Sequence, residues 1–400
     1  MARVSTIITN FRAGEFSPRL EGRIDLQKYN EAAKELTNMV SFPQGGITRR
    51  PGSYYAGASK DGGKVRLVNF EYSDEQAYVL EFGANYIRFF KDGGILTEAT
   101  KTITGATAAN PVVVTASSHG YDNGDRVFIK DVVGMTQLNN REFTVANKTT
   151  NTFELSGING SGFTAYSSAG TSGKIVEVTT TYSVTEIFEL NHVQSADVLY
   201  LAHKDHEPAK LTRTTATSFT LADIDFIDGP YLDENTTTTT IYASANTGSG
   251  ITITASASVF ASADVGRLIR LREVIEVQHD EWAASTSYAQ NDLVRFGNNV
   301  YKKTDSGSDT SGSSPPVHLS GSETYGAITW AYQHSGSGYL QITGYTSATV
   351  VTATFKNADG VLPASVVGSG TPTTRWSLGA FDGDQKFPRA VAFYEERLYF

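Results

Sequence analysis

The stretch KVRLVNFEYSDEQAYVLEFGANYIRFFKDGG, residues 64–94, runs through three short segments in which apolar and polar side chains alternate. Alternation at period two turns one face of a segment to a core and the other to water, whereas a helix repeats its apolar positions every three or four residues. The breaks SDEQ and AN are short and polar, so the stretch predicts a three-stranded antiparallel meander. The same texture fills most of the 400 residues: Thr, Ser, Gly, Tyr and Phe abound, Met and Pro are few, and 40% of the chain is hydrophobic. A chain of that size can bury more than one core, and the expectation is a mainly β protein of several domains.

Just upstream, Leu26, Tyr29, Ala33, Leu36 and Val40 recur at helical spacing behind Asp25, a residue suited to cap a first turn. This predicts one short N-terminal helix over residues 26–40. It must stop before Phe42-Pro43, because the residue before proline is pushed out of the helical region, and Gly45-Gly46 complete a turn. The stretch SFPQGGITRRPGSYY, residues 41–55, offers no nucleophile, ligand set or phosphate loop. Its glycines suit close backbone approach, and Arg49 and Arg50 are placed for salt bridges. A lone amphipathic helix must bury its Leu26, Tyr29, Leu36 stripe on something, so helix and turn are expected at a contact with another subunit or an adaptor protein.

Downstream, residues 101–173 read as a small β-barrel or sandwich with Gly-Asp and Asn-rich turns, interrupting a body that occupies 1–100 and resumes over 174–235. Residues 236–345 are a Thr/Ser-rich β insertion containing a lobe at 281–334, expected as a separate body with largely buried aromatics; KKTDSGSDTSGSSPP within it reads as a flexible polar loop. The body returns over 346–400. There AVAFYEERLYF starts a hairpin and stops at Phe400, which gives the expectation that the gene product continues.

Cysteine is absent, which excludes disulfides, thiolate metal sites and a Cys nucleophile. No phosphate loop, dinucleotide fingerprint, zinc-protease or nucleophile-elbow motif occurs, so no catalysis and no cofactor are expected. His203 and His206 beside Asp205 and Glu207 form a loose metal-like group that reads better as a polar turn, and Asp382 with Asp384 better as loop caps than as an acid pair. The net charge of -9 argues against general nucleic-acid binding. Residues 1–70 nonetheless carry +5, leaving -14 on the remainder. A basic foot on an acidic body suits contact between unlike surfaces. Trp282, Tyr288, Tyr301 and Trp330 could stack on a sugar, but in so small a lobe they are first of all the core.

The order Gly14, Pro18, Asp25, Tyr29, Pro43, Gly45, Gly46, Arg50, Pro51, Gly52 in residues 11–55, followed by VRLVNFEYSDEQAYVLEFGANYIRFF, resembles the N-terminal signature of tail nozzle or hub proteins of short-tailed bacteriophages. These are also called tail tubular protein B or packaged-DNA stabilisation proteins. The likeness returns in QSADVLYLAHKDHEPAKLTR, FIDGPY and FPRAVAFYEERLYF. It implies a β-propeller-like body in a virion tail, a homo-hexameric ring below portal and adaptor, with tail fibres or spikes as further neighbours. DNA would pass through the lumen without sequence-specific binding. Residues 103–172 resemble the FCCH domain named after ubiquitin-activating enzymes, which implies no ubiquitin chemistry here. Residues 281–334 resemble a chitin-type carbohydrate-binding module through Trp282, Tyr288, Asp292, Tyr301 and Trp330, implying a host surface glycan as a second kind of partner. Where such modules carry further tryptophans, this chain has Lys302, Lys303 and Thr304.

Overall fold

The computed structural model describes residues 8–73, 76–274, 278–356, 361–381 and 387–400. The fold is mainly β. Among the described residues no helix is long and apolar enough to cross a membrane. Arg66–Ser73, Gln76–Gly83 and Tyr86–Lys91 pair antiparallel in chain order, as their alternation predicts. Val68 and Phe70, Tyr78, Leu80 and Phe82, and Ile87 and Phe89 are the buried sides of the three strands. Glu177–Thr179 adds a fourth strand beside Tyr86–Lys91 after the chain has made its excursion through the inserted domain. A second meander follows, Asn191–Ser195, Val198–His203, His206–Thr215 and Ser218–Asp223. Its Leu199, Leu201, Leu211 and Phe219 complete the same core, with Phe219 stacked on Phe89 at 3.8 Å between ring centroids. Two consecutive antiparallel sheets, of five and four strands, therefore share one apolar layer.

The excursion is a domain with its own core. Seven strands run in the order Gly105–Ala106, Val113–Thr115, Thr152–Leu155, Arg141–Ala146, Arg126–Val133, Ser168–Lys174, Lys101–Thr102. They enclose Val112, Val127, Ile129, Leu138, Phe143 and Phe153. Its joint to the body is ionic. Arg88, fully buried in the body's third strand, reaches Glu142 of the inserted domain at 2.9 Å and Glu177 at 2.8 Å, and Lys60 meets Glu177 at 2.6 Å.

The Thr/Ser-rich region is ordered β structure. A six-stranded sheet runs Ile241–Ala243, Ile251–Ala255, Val350–Phe355, Ser337–Ser347, Leu268–Arg272, Trp376–Leu378. Because Val350–Phe355 pairs with both Ile251–Ala255 and Ser337–Ser347, this region runs through residue 378 and the body does not resume at 346 as the sequence suggests. The lobe is inserted between two neighbouring strands of this sheet and builds its own, ordered Asp280–Glu281, Leu293–Phe296, Asn299–Lys303, Ile328–His334, Ser322–Tyr325. Part of the expected polar loop is also a strand, Ser308–Thr310, paired with Ser287–Ala289.

Of the described residues, 8–58 with 92–95 form a separate unit. The expected helix over 26–40 is not there. A 3-10 helix spans Gln27–Glu31, after which Ala32–Ala33 runs parallel to Gly14–Glu15 and Met39–Ser41 is a strand. Two contacts account for this. The Asp25 carboxylate is engaged by Arg23 at 2.6 Å, and the Leu36 amide donates to Glu15 Oε2 at 2.8 Å instead of to a helical carbonyl. A short isolated helix is marginal in any case.

Candidate functional site

The arginine-bearing turn is a β-hairpin. Met39–Ser41 pairs with Ile47–Arg49, Val40 facing Thr48, and the loop is closed by Phe42 N donating to Gly46 O at 2.8 Å. Gly45 has φ +100°, and a Cβ there would stand 2.8 Å from Asn10 Oδ1. Phe11 N donates to Gly45 O at 2.8 Å. Glycine is thus required twice over, for the left-handed backbone and for the strap that crosses it. Arg49 and Arg50 are exposed, Arg50 Nε donates to Asn38 Oδ1 at 3.1 Å, and among the described residues neither makes an ion pair.

Leu26, Tyr29 and Leu36 are each half-buried but do not form one stripe. Tyr29 lies edge-on to Phe16, 6.4 Å between centroids, and its hydroxyl accepts from Gly22 N at 3.0 Å. Around it a groove of about 270 Å³ is lined by Ile8, Phe16, Leu20, Tyr29, Ala32 and Ala33. The unit has almost no interior, with Ala32 its one described buried hydrophobic residue. Ile24, Tyr54 and Tyr55 are 79%, 82% and 75% exposed, and Met39, Val40 and Phe42 also face water. Ion pairs on this unit, such as Lys34 with Glu21 at 2.8 Å, stand in solvent and add little.

The lobe is the opposite case. Trp282, Tyr288, Tyr301 and Trp330 are all buried, with Val294 and Ile328, as one core. Trp330 meets Tyr288 edge-on at 5.2 Å, and the Tyr301 hydroxyl donates to His318 O at 2.9 Å. A sugar-stacking role needs an open ring face, and these rings are spent on the interior. Lys303 also points inward: its buried ammonium meets Asp309 at 2.7 Å and donates to Asp305 O at 3.0 Å.

His203 and His206 flank a two-residue hairpin turn, Lys204-Asp205, which is the polar turn the sequence suggests. The fold adds Glu186, whose Oε2 lies 3.3 Å from His206 Nε2, so that Glu186, His203 and His206 converge. Burial, then the neighbouring His206, pushes the His203 imidazole below its usual range and keeps it neutral. Glu186 is held low first of all by the Ser183 amide. Glu207 is not part of the group, and Asp382 with Asp384 lie outside the described residues. A second convergence, Glu273 with His279 and His334, escaped the sequence reading because 61 positions separate its ends.

In comparison with known families, the ubiquitin-activating enzyme E1 FCCH domain matches residues 109–175. The match falls on the seven-stranded inserted domain and covers a minor part of the chain. No curated protein matches the chain.

Proposed function

We propose that this chain is a structural, non-catalytic component of a short-tailed bacteriophage tail, a nozzle or hub protein that assembles as a homo-hexameric ring and provides the channel for DNA. The observation that carries the reading is the N-terminal unit without a core. Its exposed Ile24, Met39, Val40, Phe42, Tyr54 and Tyr55 are side chains that each gain roughly 1.5–3 kcal/mol on full burial, and a partner surface is what would bury them. That unit coincides with the nozzle-like signature, and its solvent-facing Arg49 and Arg50 suit an acidic neighbour such as the body of the next copy or the adaptor above. Further support comes from the two consecutive antiparallel sheets, of five and four strands, each containing a four-strand meander of the kind that repeats in a β-propeller. The FCCH match points the same way, since this small β domain occurs in some phage proteins. The charge of -14 outside residues 1–70 would line a lumen that repels phosphate and lets DNA slide.

Native mass spectrometry of the purified chain, with electron microscopy of particles carrying it, tests the proposal. Six copies and a collar at the tail tip are expected. A monomer at every concentration, or density confined to a side fibre, would exclude the ring.

A further inference from the structure

Glu273, His279 and His334 meet at the neck where the aromatic lobe joins the six-stranded sheet. Leu268–Arg272 and Ser337–Ser347 are neighbours in that sheet, with Arg272 opposite Ser337. The chain leaves for the lobe after Arg272 and comes back at Gly336, and Glu273 N donates to Gly336 O at 3.0 Å across the gap. Glu273 stands on the outgoing arm, His334 ends the returning strand Ile328–His334, and His279 directly precedes the lobe's first strand, Asp280–Glu281. Glu273 Oε1 is 3.6 Å from His279 Nε2 and 3.5 Å from His334 Nδ1. The Glu273 side chain is 1% exposed and those of the histidines 11% and 13%.

Two features ask for a positive charge at this point. Glu273 Oε2 accepts from Ser365 Oγ at 2.6 Å, but Oε1 is buried and has no hydrogen-bond partner among the described residues. A carboxylate oxygen left so is expensive. His334 cannot relieve it through Nδ1, because that nitrogen accepts from Gly336 N–H at 3.2 Å and therefore carries a lone pair instead of a proton. A cation between Glu273 Oε1 and His334 Nδ1, 3.5 Å apart, would take that lone pair in place of the Gly336 N–H and neutralise the carboxylate. Ligands about 2.1 Å from a tetrahedral ion lie roughly 3.4 Å apart, close to both spacings here. In the Glu186, His203, His206 group, by contrast, Glu186 Oε2 already accepts from Ser183 N at 2.7 Å and Lys204 stands 3.3 Å from the adjacent Glu189.

We propose that Glu273, His279 and His334 bind a divalent transition cation of the Zn²⁺ class, which clamps the two arms of the lobe's neck to each other and to the sheet. One carboxylate and two imidazoles are a donor set that suits this ion, with a fourth position left to water.

The test uses the full chain, stripped with a chelator and titrated with Zn²⁺ alone by calorimetry, then with Co²⁺ for its visible spectrum. Binding at this neck with a tetrahedral Co²⁺ band is expected, together with a higher unfolding temperature in the loaded protein. His279→Gln and Glu273→Gln should each weaken this binding by about tenfold or more, as loss of a ligand does. His203→Gln with His206→Gln should leave the Co²⁺ band in place. His279 is the least constrained of the three, so circular dichroism of His279→Gln separates lost binding from lost fold if Glu273→Gln fails to fold. Absence of any bound ion would overturn the proposal. So would a Co²⁺ band that survives His279→Gln or disappears with the His203 and His206 pair.

Discussion

The N-terminal unit and the aromatic lobe are similar in length and both rich in large apolar side chains, yet they spend them in opposite ways. In the lobe Trp282, Tyr288, Tyr301 and Trp330 close on one another as a core. In the N-terminal unit Ile24, Tyr54 and Tyr55 remain on the surface, and small strands are held by backbone pairing, with Ala32 the one buried hydrophobic among the described residues. A segment that folds for itself hides its aromatics; under the proposed function, the N-terminal unit leaves them out for a partner. The difference matters for function because the lobe's rings look in sequence like a binding site, while the N-terminal unit looks like a connecting strap.

The contrast predicts its largest effect at Trp330, which is 1% exposed. Trp330→Ala should cost about 3–5 kcal/mol, seen as early melting of the lobe. A loss below about 1 kcal/mol would mean that the ring is not core. Next comes Lys303→Met, which removes the buried ammonium from Asp309 and should cost about 1–3 kcal/mol in chemical denaturation, since the half-buried carboxylate can partly rehydrate. Acid sharpens the comparison at the body's ionic joint. Glu177 is partly buried, which raises its pKa, but hydrogen bonds from Lys60 and Arg88 outweigh this and leave it below the usual carboxylate range. A depressed folded pKa gives stability that is present above the unfolded value, about 4.3, and is lost as pH falls through the folded one. Melting temperatures should therefore drop below about pH 4.3, and Glu177→Gln should flatten that limb. Glu21 and Asp25 of the N-terminal unit are also lowered, by Lys34 and Arg23, but stand in water where screening erases the benefit. The smallest effect belongs to Tyr29→Ala in the unassembled chain, below about 1 kcal/mol, because the ring is half in solvent already.

The body was legible in the sequence because period-two alternation survives tertiary context: Val68, Phe70, Leu80, Phe82, Ile87 and Phe89 are all buried. The lobe's core was legible for the same reason, that a small domain has few other side chains to bury. The N-terminal helix was misread because Leu26, Tyr29 and Leu36 satisfy helical spacing without being on a helix, and spacing cannot register that Glu15, 21 positions away, captures the Leu36 amide. The Thr/Ser-rich strands were missed as a unit because Ile241, Ile253, Val351 and Ala353 are thinly spread along a polar sequence and become a core only when strands 100 residues apart pair. Glu273, His279 and His334 were invisible for that reason too, since it is the adjacency of two sheet strands that brings them together.

The most direct test is hydrogen exchange over residues 39–49, compared between the assembled wild-type chain and the Arg49→Glu, Arg50→Glu double variant. The variant should keep the monomer's fold and stability, within about 0.5 kcal/mol, but assemble poorly. If the N-terminal unit completes its core against another copy, the hairpin amides that face solvent in one chain will be protected in the wild-type assembly and exchange freely in the variant. Equal exchange in the two proteins, with the wild type fully assembled, would show that the exposed apolar face is not the surface on which the copies meet.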